Sequence, residues 1–245
     1  MKNLILGHIY FLKKDHFFYG CIAIALIMLI ISIRVSSFLP IEIPVTGVDS
    51  FFNLFLNDET IIYAFMLLTV NMVSETYQSG VIKNIIGKGT GKEKYYLSIV
   101  LTISLAFLLI TMISGIIAGT IAFYKFGLGT IMYPAYYILA IIARILFVVA
   151  SISFSLTTII FTKNTIYGMV LALIIPNIPQ IIETIFNIIK ININLDLFKI
   201  SNHMPTIQNA STDISPFLPC FILLIVYIAL STIIGIYLLK KQDIK

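Results

Sequence analysis

Few side chains in this sequence could do chemistry, and they are scattered. Three histidines, His8, His16 and His203, lie far apart in the chain, and neither cysteine, Cys21 or Cys220, falls beside one at metal-ligand spacing. No Cys-x-x-Cys or His-Glu-x-x-His pattern occurs, so no metal cage is spelled out. Within the apolar runs the one acid is Glu183, with no histidine beside it. Intramembrane hydrolysis would need a nucleophile with a base, paired acids or metal ligands there. Residues Gly87–Lys92 read Gly-Lys-Gly-Thr-Gly-Lys and look at first like a phosphate loop. The loop pattern asks for Gly five places before its Gly-Lys and Ser or Thr after it. Ile86 and Glu93 hold those places, and no strand pattern precedes them. The expectation is a chain without its own catalytic site, metal or cofactor.

The polar residues inside the apolar runs carry more information. Arg144 stands ten residues inside its run, where an arginine costs at least about 2.5–3.5 kcal/mol on insertion scales. Either it faces a bundle interior or conduit, pairing with Glu183, or it snorkels outward or bonds a neighbouring carbonyl. Ser151, Ser155 and Thr158 continue a polar stripe along the same run. Arg34 lies close enough to its run's end to snorkel. Pro176 and Pro179 interrupt another run, because proline removes a helical hydrogen bond and clashes with the preceding turn. A broken or re-entrant segment follows from them, tolerable where protein shields the freed backbone. Cys21 and Cys220 read as small buried hydrophobes near the starts of two runs of opposite direction, too far apart for a disulfide.

The elements that must hold these residues are membrane helices. Hydrophobic residues make up 59% of the 245 and charged residues 11%, with a mean hydropathy of +1.03. Soluble domains run near roughly 45–50% and about 25%. A soluble enzyme, a disordered chain and a nucleic-acid-binding domain are excluded, since the lysines form no basic stripe interleaved with aromatics. The reading is an all-α polytopic membrane protein with one transmembrane domain over 1–245. Residues 1–14 form an interfacial helix, with Leu4, His8, Phe11 and Leu12 at three- and four-residue steps. Six spans follow, at about 17–37, around 61–73 with borrowed flanks, 96–123, 134–161, from 165 into the proline break, and 216–239. Phe51–Leu56 reads as a short interfacial piece, and Thr111, Gly115 and Gly119 as a stripe that lets another helix come close. The first run lacks a cleavage site and reads as a retained span.

With both termini inside, eleven lysines fall in cytoplasmic segments and three (Lys125, Lys190, Lys199) outside. That bias obeys the positive-inside rule and turns the net charge of +5 into a topology signal. One cytoplasmic connector, 75–95, stands out. Glu75 ends the second span, Gly80 follows, then an amphipathic run including Ile82, Lys83, Ile85 and Ile86, then a Gly-rich basic turn with Gly89 and Lys92. Such an element suits docking on a soluble partner; the alternative is a solvated connector. Asn209-Ala210-Ser211 also fits a glycosylation sequon, at a frequency chance explains.

This layout and the connector resemble the type-2 membrane subunits of ATP-binding-cassette exporters, in particular the small permeases of bacterial peptide exporters that handle lantibiotics, bacitracin and phenol-soluble modulins. The family's acidic span end, Gly, Ile/Leu-rich short helix and Gly-x-Ser-Arg-like turn are matched by Glu75, Gly80, Ile82–Ile86 and Gly89–Lys92. Lys92 stands where arginine is usual, and Ile99 where a basic residue often follows the serine at 98. The charge at 92 is kept without arginine's bidentate reach.

The resemblance implies that 75–95 is a coupling helix seated on a cytoplasmic ATPase subunit, which would bind the ATP and Mg. It implies a second permease subunit, identical or related, membrane lipids around the pair, a peptide substrate, no nucleic acid, and a bacterial cytoplasmic membrane location. Segment 176–215 would be the extracellular re-entrant segment and loop, with 176–200 as the outer gate, and Arg144, Ser151, Ser155 and Glu183 would be candidates for the translocation path. Two other classes remain: an ion-coupled secondary transporter, which usually shows intramembrane carboxylates and repeats, and a non-transport scaffold or sensor.

Overall fold

The computed structural model of the chain describes residues 1–38, 46–57, 59–87, 89–131, 133–189, 210 and 212–242. Among these residues the chain is all-helical, with no strand. The elements are α1 (Lys2–Lys14), α2 (His16–Phe38), α3 (Gly47–Asn57), α4 (Glu59–Gln78), α5 (Val81–Gly87), α6 (Lys92–Phe126), α7 (Pro134–Thr162), α8 (Thr165–Ile174), a 3-10 turn (Ile175–Asn177), α9 (Ile178–Ile188) and α10 (Phe217–Lys241). Among the described residues, five stretches are long and apolar enough to cross a membrane: Gly47–Gln78, Lys92–Phe126, Pro134–Thr162, Thr165–Ile188 and Phe217–Lys241. A sixth is reached if α1 and α2 count together, but they meet at a 72° bend.

The bend has a local cause. Lys13 and Lys14 occupy the last turn of α1, where cations favour the negative helix end. Asp15 then takes an extended conformation and accepts the Phe17 N–H through Oδ1 at 2.8 Å, capping the start of α2. So Asp15 ends one helix and begins the next.

A reciprocal cap starts α3. Thr46 Oγ1 accepts the Asp49 N–H and Asp49 Oδ2 accepts the Thr46 N–H, both at 3.3 Å. Its backbone then lies against α6. A Cβ placed on Gly119 would sit 3.0 Å from the Gly47 carbonyl oxygen, and one on Gly115 would sit 3.1 Å from the Phe51 ring. The small stripe at 111–119 is thus filled by α3 of the same chain, and Phe51–Leu56 lies within that helix, packed against α6.

Among the described residues, two large apolar clusters and a smaller one of Leu29, Leu54 and Ala118 hold the helices. The first gathers Phe65, Tyr95, Tyr96, Ile103, Phe107 and Leu156 around α4, α6 and α7. The second joins Phe52, Tyr136, Ala140, Phe217, Cys220 and Leu224 of α3, α7 and α10. Cys21 and Cys220 are free and buried. Tyr96 locks the helices with polar bonds as well. Its hydroxyl donates to the Ser153 carbonyl at 2.8 Å and lies 3.1 Å from Thr157 Oγ1, which donates to Ser231 O at 2.8 Å.

The proline segment differs in degree from its expected form. Pro176 cannot donate to the turn before it, and the helix tightens to 3-10 over Ile175–Asn177. Asn177 Nδ2 donates to the Leu173 carbonyl at 2.8 Å, satisfying one group at the break. Thr165–Ile188 still forms one apolar stretch of 24 residues. The rest of the expected re-entrant segment at 190–209, with His203, Lys190 and Lys199, lies outside the described residues, as do Lys88, the Arg34 side chain and two of the three sequon residues.

Candidate functional site

The connector forms a definite element. Gly80 (φ 70°) and Gly89 (φ 84°) adopt the left-handed conformation that glycine takes at little cost, and they bracket α5. Ile82 is buried, Ile85 and Ile86 are half-buried against the main cluster, and Lys83 points outward. So α5 is fixed to the bundle by its isoleucines and exposes Lys83 and Asn84. Glu75, one turn before it, is exposed and accepts from Asn71 Nδ2 at 3.0 Å.

Around α5 the helix ends are cross-tied. Thr76 Oγ1 and Tyr95 Oη lie 3.0 Å apart, joining α4 to α6. The α1 helix flanks the connector: Met1, Lys2 and Leu4 share a groove with Ile85, Gly89 and Lys94, and Phe11 and Asp15 share another with Glu75 and Val81. His8 anchors α1, with Nε2 3.0 Å from Ser98 Oγ and its ring 5.7 Å edge-on from Tyr95. Burial pushes the His8 imidazole down to about 4, keeping it neutral near pH 7.

Lys92 has a partner within the chain. Its ammonium donates to the carbonyls of Gln242 at 2.8 Å and Lys240 at 3.3 Å, so it neutralises the C-terminal end of α10. Gln242 extends the tie. It accepts from the Tyr77 hydroxyl at 3.0 Å and donates to the Ile160 carbonyl at 2.8 Å. Glu93 and Lys240 add an exposed ion pair at 2.5 Å. One glutamine therefore joins the ends of α4, α6, α7 and α10. Sequence reasoning missed it, because a glutamine past a basic helix end belongs to no pattern.

The path candidates separate. Arg144 is 1% exposed and sets its guanidinium over Phe107 at 5.5 Å and Phe147 at 5.8 Å. Glu183 sits half-buried on α9, which packs chiefly on the 3-10 turn. Ser155 is fully buried, and its hydroxyl donates to Ser151 O at 2.8 Å. Ser151 and Pro176 do come together. They share a cavity of about 60 Å³ between α4, α7, α10 and the 3-10 turn, with Glu59, Tyr63, Phe154 and Tyr227 also on its wall. Pro179 lies in the first turn of α9 and is half-buried. Glu59 and the tyrosines could not have been chosen from sequence, since nothing local says that α4 faces the break.

The chain matches no family model, no curated protein and no solved structure.

Proposed function

We propose that this chain is the membrane-spanning permease subunit of an ATP-binding-cassette exporter. Six spans place both termini in the cytoplasm of a bacterial cell. A separate ATPase hydrolyses ATP with Mg, and a second permease subunit, a copy or a relative, completes the path. The cargo is an amphipathic or antimicrobial peptide, or a similarly hydrophobic compound. The observation that carries this reading is α5: a short helix between glycine hinges, gripped by Ile82 and exposing Lys83. A coupling element needs both properties, a firm hold on the bundle and a free face for the motor.

The cross-ties give the push somewhere to go. Force on α5 reaches α4 and α6 through Thr76 and Tyr95, and α10 through Lys92 and Gln242. Segment 176–200 forms the outer gate, beginning at the 3-10 turn where the helix is already interrupted.

Affinity purification of the tagged chain from its source membranes in mild detergent tests the reading. Co-purification of an ATPase with a Walker A motif, and ATP-dependent peptide export on reconstitution, are the expected results. A lone chain that drives transport on an ion gradient without ATP overturns it.

A further inference from the structure

We infer that the cavity beside the 3-10 turn is a binding site for an alkylammonium head, the cationic end of an amphiphile. This inference is independent of the transport reading. The cavity's size comes first. A water needs roughly 10–15 Å³ of such space, so about 60 Å³ admits a group as large as a trimethylammonium, with the tail left outside.

The lining then sets the charge. Tyr63, Phe154 and Tyr227 supply aromatic rings, whose faces attract cations through the ring quadrupole. Glu59 supplies the wall's one carboxylate, and no Lys, Arg or His lines the cavity. Among the described residues, no salt bridge reaches Glu59. Arg144 lies over Phe147, another wall residue, and also faces Phe107 of α6, a helix that contributes nothing to the cavity. The ammonium is therefore assigned to the Glu59 and tyrosine part of the wall. The amides of Asn177 and Gln180 line the wall at the break, so a ligand here touches the interrupted helix directly.

The test is isothermal titration calorimetry of hexyltrimethylammonium into the full chain in uncharged maltoside micelles, with empty micelles subtracted. Saturable one-site binding is expected. Glu59→Gln should weaken it at least tenfold, and Ala150→Phe, which fills the cavity, should abolish it. Glu59 is exposed, so Glu59→Gln tests the site even where Ala150→Phe fails to fold. Hexanesulfonate should not compete. Displacement by phosphatidylcholine doped into the micelles means that the head arrives on a lipid; displacement by the soluble amphiphile alone means a free solute, and either result supports the site. Non-saturable uptake, equal competition by hexanesulfonate, or unchanged affinity in Glu59→Gln overturns the inference.

Discussion

The α3–α6 seam and the α8–α9 segment are both apolar, yet they are held in opposite ways. In the seam, backbone meets backbone through Gly47, Gly115 and Gly119, and half of the most apolar stretch of α6 is buried. In Thr165–Ile188 only 6% of the corresponding stretch is buried, and α9 has no buried residue. Hydropathy is the same kind of signal in both; packing separates a wall from a loosely attached segment. Elements that move are drawn from the loosely held parts of a fold, which suits the proposed gate beginning at the 3-10 turn.

The contrast breaks first at glycine. Gly119→Leu drives a side chain into the Gly47 carbonyl and should cost about 3 kcal/mol, read as a lowered Tm in detergent. Ile181→Ala on α9 should stay within about 0.5 kcal/mol. Equal effects would erase the distinction between the two regions.

The connector end gives a pH test. His8 has a pKa of about 4 in the fold against 6.5 in the unfolded chain. Between those values the unfolded state binds more protons, so the stabilisation is complete above pH 6.5 and is lost as pH falls towards 4. At pH 5 the loss is about 2 kcal/mol at 1.36 kcal/mol per unit. Hydrogen exchange should show α1 loosening over that window, and His8→Gln should flatten the dependence.

Tyr96→Phe removes the hydroxyl that binds α6 to α7 and should cost about 1.5 kcal/mol, measurable by thermal melting. The smallest effect is expected at Glu93 and Lys240, an exposed pair. Glu93→Gln should leave the melting temperature unchanged, because water and salt screen such pairs.

Much of the helix layout was legible because periodicity and length are local signals. The turn after Lys14, the start of α7 at Pro134 and the glycine-bounded α5 follow from residues next to one another. Packing partners were not legible. The 111–119 stripe announced a close approach without saying that Gly47 would fill it. Tyr95 and Tyr96 sit in no sequence pattern, yet both are fully buried and bind across helices. Lys92 read as part of the connector's basic coupling turn, and its chief partners lie about 150 residues away in sequence, at Lys240 and Gln242. Such contacts depend on which helices become neighbours, which spacing within one helix cannot encode.

Site-directed photo-crosslinking in native membranes tests the central claim most directly. A photoreactive residue at Lys83, on the free face of α5, is set against one at Ile181 on α9. The account predicts that position 83 captures a soluble ATPase with a Walker A motif and that position 181 does not. Capture of no ATPase at 83, or equal capture at both positions, would contradict it.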